Sequence, residues 1–300
     1  MTFKHMATVI VAIAAAAACT QLPPERRLLD DAAAALGGKD RLTAVKTILV
    51  EGSGTNPNIG QNPTPDAELP IWRVTDLTRT IDLANNRMRA RQVRSARFPY
   101  ALANLQRTTQ AVDGDIAFNI ADDGMVTRAS EQAARDRRVE MLHNPITAVR
   151  AALDANAKLA NLHQTGNLQV LDVTTAKGDT FTLAIDNQTK LPVSVTTMSD
   201  HANLGDVAVE TTFSDYADTN GLKLPKRYLT KLDKYVQADI QVSSTMLDVD
   251  GGDLPAPESV KAAPVPPAAA PVVVDAQPLG KGIWWLGGGS RGFRSRGGRR

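Results

Sequence analysis

A chain of 300 residues is long enough for one or two domains, each with a hydrophobic core. Its composition, 43% hydrophobic and 22% charged, is that of a globular protein and excludes a chain disordered throughout. The formal net charge is +2, but the last ten residues hold five of the 34 basic residues and no acid; the other 29 stand against 32 acidic ones. The body of the chain therefore lacks the basic surface of a nucleic-acid-binding protein, and no nucleic-acid partner is expected.

The N-terminal segment has the pattern of a secretory signal peptide. Lys4 precedes an apolar run at residues 7–18, which is too short to span a bilayer as a mature helix. The sole cysteine, Cys19, follows this run, and residues 16–19 resemble a bacterial lipobox with Ala16 where leucine is preferred. The resemblance implies that residues 1–19 are a signal peptide, that lipid is attached to Cys19, and that the protein is anchored to a membrane in the periplasm or cell envelope. An ordinary cleaved signal is the alternative.

Helices and hairpins are predicted after this segment. Residues 25–36 are helix-forming and are followed by Gly37-Gly38, a common stop after a helix; a second short turn covers residues 39–44. The sequences Asn85-Asn86 and Asp122-Asp123-Gly124 favour tight turns and therefore hairpins. The extended segments predicted in this part are residues 46–52, 72–83, 88–97, 116–120 and 125–127.

Two further helices are predicted in the middle of the chain. The first covers residues 130–142; the second starts with Asn144 as N-cap and Pro145 at its first helical position, and the helical block ends at Gly166. The hydrophobic period then changes to two, which predicts a meander of about five antiparallel strands that ends near Val249. The predicted fold class is α+β, a curved antiparallel half-barrel sheet packed by a few helices over residues 25–250.

The C-terminal part changes composition twice. Residues 254–278 are dense in proline and alanine, which predicts an extended Pro/Ala-rich linker. Residues 279–290 begin like the first strand of a new domain and are interpreted as an incomplete strand fragment. The Arg/Gly-rich tail at residues 291–300 has no structural pattern and is typical of out-of-frame reading of a GC-rich gene; a basic tail that contacts anionic lipid head groups or RNA is the alternative.

The sequence contains no recognisable catalytic motif. Zinc enzymes need clustered ligands such as H-x-H or H-E-x-x-H, whereas His143, His163 and His201 are isolated and are predicted to have surface or capping roles. A G-x-S-x-G motif is missing, and a cysteine nucleophile is excluded because Cys19 lies in the export segment. No catalytic residue, metal ligand or cofactor is therefore predicted, and the chain as written is not expected to be an enzyme.

An alternating apolar face on adjacent predicted strands offers a possible binding site. Periodicity identifies such a face without showing whether the space beside it is filled, so a cavity for a lipid or apolar ligand and a packed core fit the pattern equally well. The candidate cavity-lining residues are Phe181, Leu183, Ile185, Val207, Val209 and Phe213.

Two segments carry a resemblance to known proteins. ALGGKDRLTAVKTILVEGSG, residues 35–54, and LPVSVTTMSDHANLGDVAVETTFSDYADTNGLKLPKRY, residues 191–228, resemble periplasmic lipoprotein carrier-like domains. That resemblance implies an open half-barrel closed by helices over residues 25–250.

A third segment points to a longer protein. PLGKGIWWLGGGS, residues 278–290, resembles the opening of the metallo-β-lactamase (MBL) fold that follows such a domain in some exported bacterial hydrolases. The family's zinc-binding H-x-H-x-D-H motif is absent from this sequence, so zinc is implied only for the full-length family. The resemblance implies that residues 279–290 are the start of an MBL-like domain, truncated or frameshifted soon after it begins.

Three functions are compatible with these patterns. The leading hypothesis is a non-catalytic exported envelope lipoprotein domain, a fragment of a larger hydrolase, with a membrane and a lipid or apolar ligand as partners. The second is a zinc-dependent MBL-fold hydrolase whose catalytic domain is missing here. The third is a structural spacer with a filled core.

Overall fold

The computed structural model describes residues 22–62, 64, 67–99, 101, 105–201, 205–267 and 274–288. Cys19, the predicted signal peptide and the Arg/Gly-rich tail lie outside these ranges. The helices are α1 (Pro24–Leu36), α2 (Lys39–Ala44), α3 (Glu131–Met141), α4 (Pro145–Leu153) and α5 (Glu258–Ala262). In the part of the chain that the structure describes, no helix is both long enough and apolar enough to cross a membrane.

The strands account for most of the regular structure. They are β1 (Thr47–Pro57), β2 (Ile71–Asp82), β3 (Arg87–Ala96), β4 (Leu105–Asp113), β5 (Ile116–Ile120), β6 (Val126–Arg128), β7 (Lys158–Thr165), β8 (Leu168–Thr174), β9 (Thr180–Asp186), β10 (Pro192–His201), β11 (Gly205–Ser214), β12 (Ala217–Thr219), β13 (Leu222–Leu224), β14 (Arg227–Leu232), β15 (Tyr235–Leu247), β16 (Val274–Gly280) and β17 (Ile283–Gly288).

Thirteen of these strands form one antiparallel sheet, which is not closed. Its order is β6-β5-β4-β3-β2-β1-β15-β14-β11-β10-β9-β8-β7, so the pairing of β1 with β15 joins two meanders. Of the residues that the structure describes, 51% are in strands and 18% in helices, so the fold is mainly β and the predicted α+β class is wrong. The predicted segments do not include β4, β8 or β14, and the prediction placed β7 inside a helix.

The second predicted helix is much shorter than expected. Its start is confirmed, because the Asn144 side chain accepts a hydrogen bond from the backbone of Ile146 at 3.0 Å and Pro145 follows. Its end comes at Leu153, where the Asp154 carboxylate accepts a hydrogen bond from the backbone of Asn156 at 2.7 Å. Such a side-chain-to-backbone bond stabilises a turn instead of another helical turn. The chain then continues as the exposed edge strand β7.

Helices α1 and α4 cover the second meander and form the main hydrophobic core. Their apolar faces pack with residues from β8, β9 and β10 in one cluster, and full burial of each large aliphatic side chain contributes about 1.5–3 kcal/mol. The members of this cluster from these elements are Leu28, Leu29, Ala32, Ala33, Leu36, Ile146, Ala148, Val149, Ala152, Leu171, Val173, Phe181, Leu183, Ile185 and Val195.

The first residues of the predicted linker pack against the first meander. Ala256 and Val260 form a small buried cluster with Ala111 of β4 and Phe118 of β5. The Arg128 guanidinium adds hydrogen bonds to the carbonyl oxygens of Lys261 and Ala263, at 3.1 and 2.6 Å. Residues 254–263 therefore form a strap on the sheet, and any extended tether begins after them.

Replacing Val260 with aspartate is expected to release this strap. Val260 is 2% exposed, so the buried carboxylate would lose its hydration without a partner and detach the segment. Limited proteolysis followed by mass spectrometry should show faster cleavage within residues 250–267. Val265→Asp is the matched control, because Val265 lies on the same segment at 41% exposure and its replacement should leave the cleavage rate unchanged. Equal cleavage of both variants would show that the strap is not packed.

Candidate functional site

A cavity of about 630 Å³ lies between the sheet and the end of α3. Strands as far apart in the sheet as β4 and β10 line it, so the sheet must curve around the space. The lining residues are Val50, Asn56, Pro57, Asn58, Ile59, Leu77, Arg79, Gln92, Arg94, Gln110, Asp136, Val139, Glu140, His143, Asn144, Thr197, Met198, Ser199, His201, Val207, Val209, Thr211, Tyr228, Thr230, Leu232, Gln237, Ala238 and Ile240.

Helix α3 is fixed to the first meander by a buried cation. The Arg137 guanidinium donates to the carbonyl oxygens of Ala111 and Phe118, both at 2.7 Å, and to the Asn119 side chain at 2.6 Å. These charge-assisted bonds tie the helix to the backbone of β4 and β5. The last turn of the helix and the loop that follows it therefore lie at the cavity.

A hydrogen-bonded row of polar side chains forms the floor of the cavity. The His143 imidazole lies between two threonine hydroxyls: Nδ1 is 2.8 Å from Thr211 Oγ1, and Nε2 is 3.0 Å from Thr197 Oγ1. Thr211 is in turn 2.9 Å from the Thr230 hydroxyl on the next strand. His143, Thr197 and Thr211 are all buried, so this row satisfies groups that would be destabilising if left unpaired.

The floor histidine is neutral at physiological pH. Burial disfavours the charged imidazolium, and the nearby Arg79 cation adds to the effect, so the pKa of His143 is lowered to about 4. A neutral imidazole has one donor and one acceptor nitrogen, which suits two hydroxyl neighbours. The row therefore offers hydrogen bonds without net charge.

Two more polar pairs flank this row. The Asn144 amide donates to the Tyr228 hydroxyl at 3.2 Å, and burial raises the pKa of Tyr228, which stays protonated. The Arg79 guanidinium forms an ion pair with Glu140 at 2.5 Å. The pair compensates both charges, so the floor as a whole remains electrically balanced.

The middle of the cavity is aliphatic. Val207 and Val209 of β11 and Leu232 of β14 face it from the second meander, and Leu77 of β2 faces it from the first. Val209 and Leu232 are directly opposite each other in the pairing of β11 with β14. This apolar band separates the polar floor from the polar residues at the mouth.

The mouth carries a second arginine on the first meander. Arg94 of β3 stacks on the Trp72 ring, 4.7 Å from its centroid, and its Nε and Nη2 donate to Gln106 Oε1 at 3.1 and 2.9 Å. Beside it the Gln92 amide donates to Asn56 Oδ1 at 2.9 Å. Burial lowers the pKa of Arg94, which still remains protonated at neutral pH.

The polar side chains of this arrangement can donate and accept hydrogen bonds, but they are not arranged as a catalytic triad. A hydroxyl next to an imidazole resembles part of a catalytic triad, but His143 is weakly basic and both of its nitrogens face threonines instead of an orienting carboxylate. Glu140, the nearby carboxylate, is bound to Arg79. Among the described residues, no group of three or more histidine, cysteine, aspartate or glutamate side chains could hold a metal ion.

The six predicted lining residues are divided between cavity and core. Val207 and Val209 line the cavity, whereas Phe213, two positions beyond the floor residue Thr211 on the same face of β11, is packed in the core. Phe181, Leu183 and Ile185 of β9 also lie in the core, because α1 and α4 cover that part of the sheet. The alternation identifies an inward face, and the position of the helices decides which part of it is filled.

The sequence matches no protein-family model and no curated protein. Solved structures to which it is similar include the following three. A LolA superfamily protein from Nitrosomonas europaea is 12% identical, with a TM-score of 0.42, over 77% of this chain and 94% of that one. A DUF1329 family protein from Desulfovibrio piger is 13% identical, with a TM-score of 0.39, over 75% and 94%. LprF from Mycobacterium bovis is 11% identical, with a TM-score of 0.26, over 82% and 97%.

At these identities and TM-scores, a shared activity does not follow. The three structures also do not show the link to the metallo-β-lactamase fold that residues 278–290 suggest. The functional assignment therefore depends on the cavity and its lining.

The floor residues were the part of the site that sequence reasoning missed. His143, with a predicted surface or capping role, is 6% exposed and lies in the turn between α3 and α4. One signal was present: no charged residue occurs from Met141 to Val149, and all nine residues of this run are buried. His163 is exposed on β7, and its Nδ1 is 2.7 Å from the Asn161 carbonyl oxygen; His201 ends β10 at the cavity mouth.

Proposed function

We propose that this chain is a non-catalytic binding domain that holds a lipid or another largely apolar ligand in its cavity. The observation that carries the proposal is the combination of an aliphatic band, built from Val207, Val209, Leu232 and Leu77, with a polar floor in which His143 is hydrogen-bonded to Thr197 and Thr211. A volume of about 630 Å³ lies within the usual range for small-molecule sites. A structural spacer would need no such space.

The proposed cellular setting follows from the N-terminal sequence. The apolar run at residues 7–18 and Cys19 support export and attachment to a membrane of the cell envelope through lipid. In that setting the binding domain would stay within reach of the membrane, where apolar ligands are abundant.

We further propose that the hairpin of β16 and β17 is the start of a second β-domain of the MBL type, to which the binding domain is attached. A two-stranded hairpin has no core of its own, and Leu279, Ile283, Trp284 and Trp285 are each at least 50% exposed. Exposed apolar side chains on a strand favour a covering layer. In this proposal any hydrolytic activity belongs to that second domain.

A charge in the aliphatic band is expected to abolish ligand binding. Val209→Asp places a short carboxylate inside the cavity, where an apolar ligand would have to desolvate it. The neutral fluorescent probe N-phenyl-1-naphthylamine measures the effect: it should bind the wild-type chain and bind Val209→Asp at least about tenfold more weakly. Ala208→Asp, on the neighbouring residue that faces away from the cavity, is the control and should bind the probe normally.

Native mass spectrometry of the chain purified from bacterial membranes tests the same proposal without a probe. A releasable lipid mass in the wild-type chain, lost from Val209→Asp and kept in Ala208→Asp, would support it. Metal analysis of the same sample separates the enzymatic alternative, because stoichiometric zinc would contradict a non-catalytic domain. If neither probe nor lipid binds the wild-type chain, the cavity has no binding role and the spacer hypothesis gains support.

A further inference from the structure

The charges that line the cavity are unequally compensated. Of the two arginines, Arg79 forms an ion pair with Glu140, whereas Arg94 has only neutral partners, Trp72 and Gln106. The ion pairs found among the described residues do not include Arg94. The other carboxylate of the lining, Asp136, lies on α3 and accepts a hydrogen bond from the Gln132 amide at 2.7 Å. Arg94 is therefore a partly buried cation whose direct partners are all neutral.

The geometry of Arg94 leaves it free to bind a further group. A guanidinium has five N–H donors, and Gln106 takes two of them. The Trp72 ring covers one face and fixes the plane of the guanidinium, which lowers the entropy lost on binding. The remaining donors suit a carboxylate or phosphate, which arginine binds with charge-assisted, often bidentate hydrogen bonds.

The position of Arg94 relative to the aliphatic band gives the orientation of the ligand. On β3, Arg94 is four residues from Ala90, and Ala90 pairs with Arg79 beside the floor. At about 3.3 Å per residue, the mouth cation lies roughly 13 Å along the strand from the floor level. The aliphatic residues fill the interval, so an extended hydrocarbon chain can reach the floor while its head group contacts Arg94.

We propose that Arg94 binds the anionic head group, a carboxylate or a phosphate, of a single-chain amphiphile whose hydrocarbon chain lies in the aliphatic band of the cavity. This inference rests on the proposed binding function and narrows it to one class of ligand. A neutral lipid with the same chain would fill the same band but would leave the mouth cation uncompensated.

Displacement of N-phenyl-1-naphthylamine by ligands of equal chain length tests the inference. In the wild-type chain, decanoate and decyl phosphate should displace the probe at roughly tenfold lower concentration than 1-decanol, because hydrogen bonds to a charged group are stronger. The stronger of the two anions identifies the head group. Equal displacement by 1-decanol and both anions would overturn the inference without any variant.

Variants assign the preference to Arg94. Arg94→Gln should bring the anions to the level of 1-decanol, and Arg94→Lys, which keeps the charge, should retain part of the preference. Arg91→Gln is the matched control: Arg91 lies on the same strand, faces away from the cavity, and pairs with Asp76 at 3.4 Å. An anion preference that survives in Arg94→Gln would contradict the assignment. If the probe itself fails to bind the wild-type chain, the proposed function fails, whereas probe binding without anion preference refutes only this inference.

Discussion

Between about pH 6.5 and pH 4, the folded chain is expected to lose about 3 kcal/mol of stability through His143 alone. The pKa of this histidine is about 4 in the folded chain and 6.5 in its reference state. Between these two values the unfolded chain binds the proton and the folded chain does not. Lowering the pH through this window therefore favours unfolding, and the stability is fully present only above it.

Urea unfolding at a series of pH values would measure this effect. The free energy of unfolding of the wild-type chain should fall steeply across the window, and that of His143→Gln, which keeps a neutral side chain with a donor and an acceptor, should change much less. His163→Ala is the control, because His163 is exposed on β7 and its loss should leave the slope as in the wild type. The carboxylates whose pKa values are lowered, Asp113, Asp172, Asp186 and Asp248, lose their contribution only at lower pH. A wild-type slope equal to that of His143→Gln would mean that the imidazole is hydrated.

Replacing leucine with alanine is expected to lower the free energy of unfolding more in the packed core than in the cavity wall. Leu183→Ala removes a fully buried side chain beneath α1 and α4 and is expected to lower the free energy of unfolding by about 2–5 kcal/mol. Leu232→Ala makes the same change in the cavity wall, where the Leu232 side chain is 3% exposed and borders the open space. Its cost should be less than about 2 kcal/mol, since the new space joins an existing one.

Chemical denaturation of the two variants, each compared with the wild-type chain, measures this difference. Probe binding supplies the second readout: Leu183→Ala should bind N-phenyl-1-naphthylamine normally wherever it is folded, while Leu232→Ala should bind it with changed affinity. Equal losses of stability, with no change in binding, would show that β9 and β14 have the same surroundings and would remove the basis for the site.

Local signals in the sequence predicted most elements of the first meander. Gly37 has a φ of 127° at the end of α1, and Asn86 has a φ of 56° in the turn before β3, so the residues chosen as stops and turns adopt the conformations expected of them. The prediction of a helix over residues 158–165 was wrong because the apolar residues of this segment also fit a helical period. The turn that ends the helix before this segment is stabilised by the hydrogen bond from the Asn156 backbone to the Asp154 carboxylate.

The candidate site was predicted only in part, for a different reason. Alternation in β11 places Val207, Val209, Thr211 and Phe213 on one face, and that was readable from the sequence. Tertiary packing determines which of these residues line the cavity and which lie in the core, because it sets the positions of α4 and of the turn at His143. The sequence did not mark Arg79 or Arg94 as site residues, because arginines in strands are usually solvated. Only the tertiary structure shows that Arg79 forms an ion pair with a carboxylate and that Arg94 stacks on a tryptophan ring.

The seam between β1 and β15 has a consequence for how the chain acquires its structure. Thr47 begins β1 and Leu247 ends β15, and Ile48 pairs with Leu247, so the central hydrogen bonds of the sheet join segments at opposite ends of the domain. Contacts of such long sequence separation form late and slowly. Because the ribosome makes the chain from its N-terminus, β1 can pair with β2 early but keeps one unpaired edge until β15 has been synthesised. During that interval the edge can pair with other chains, so protection by a chaperone would matter most before the last strand is available.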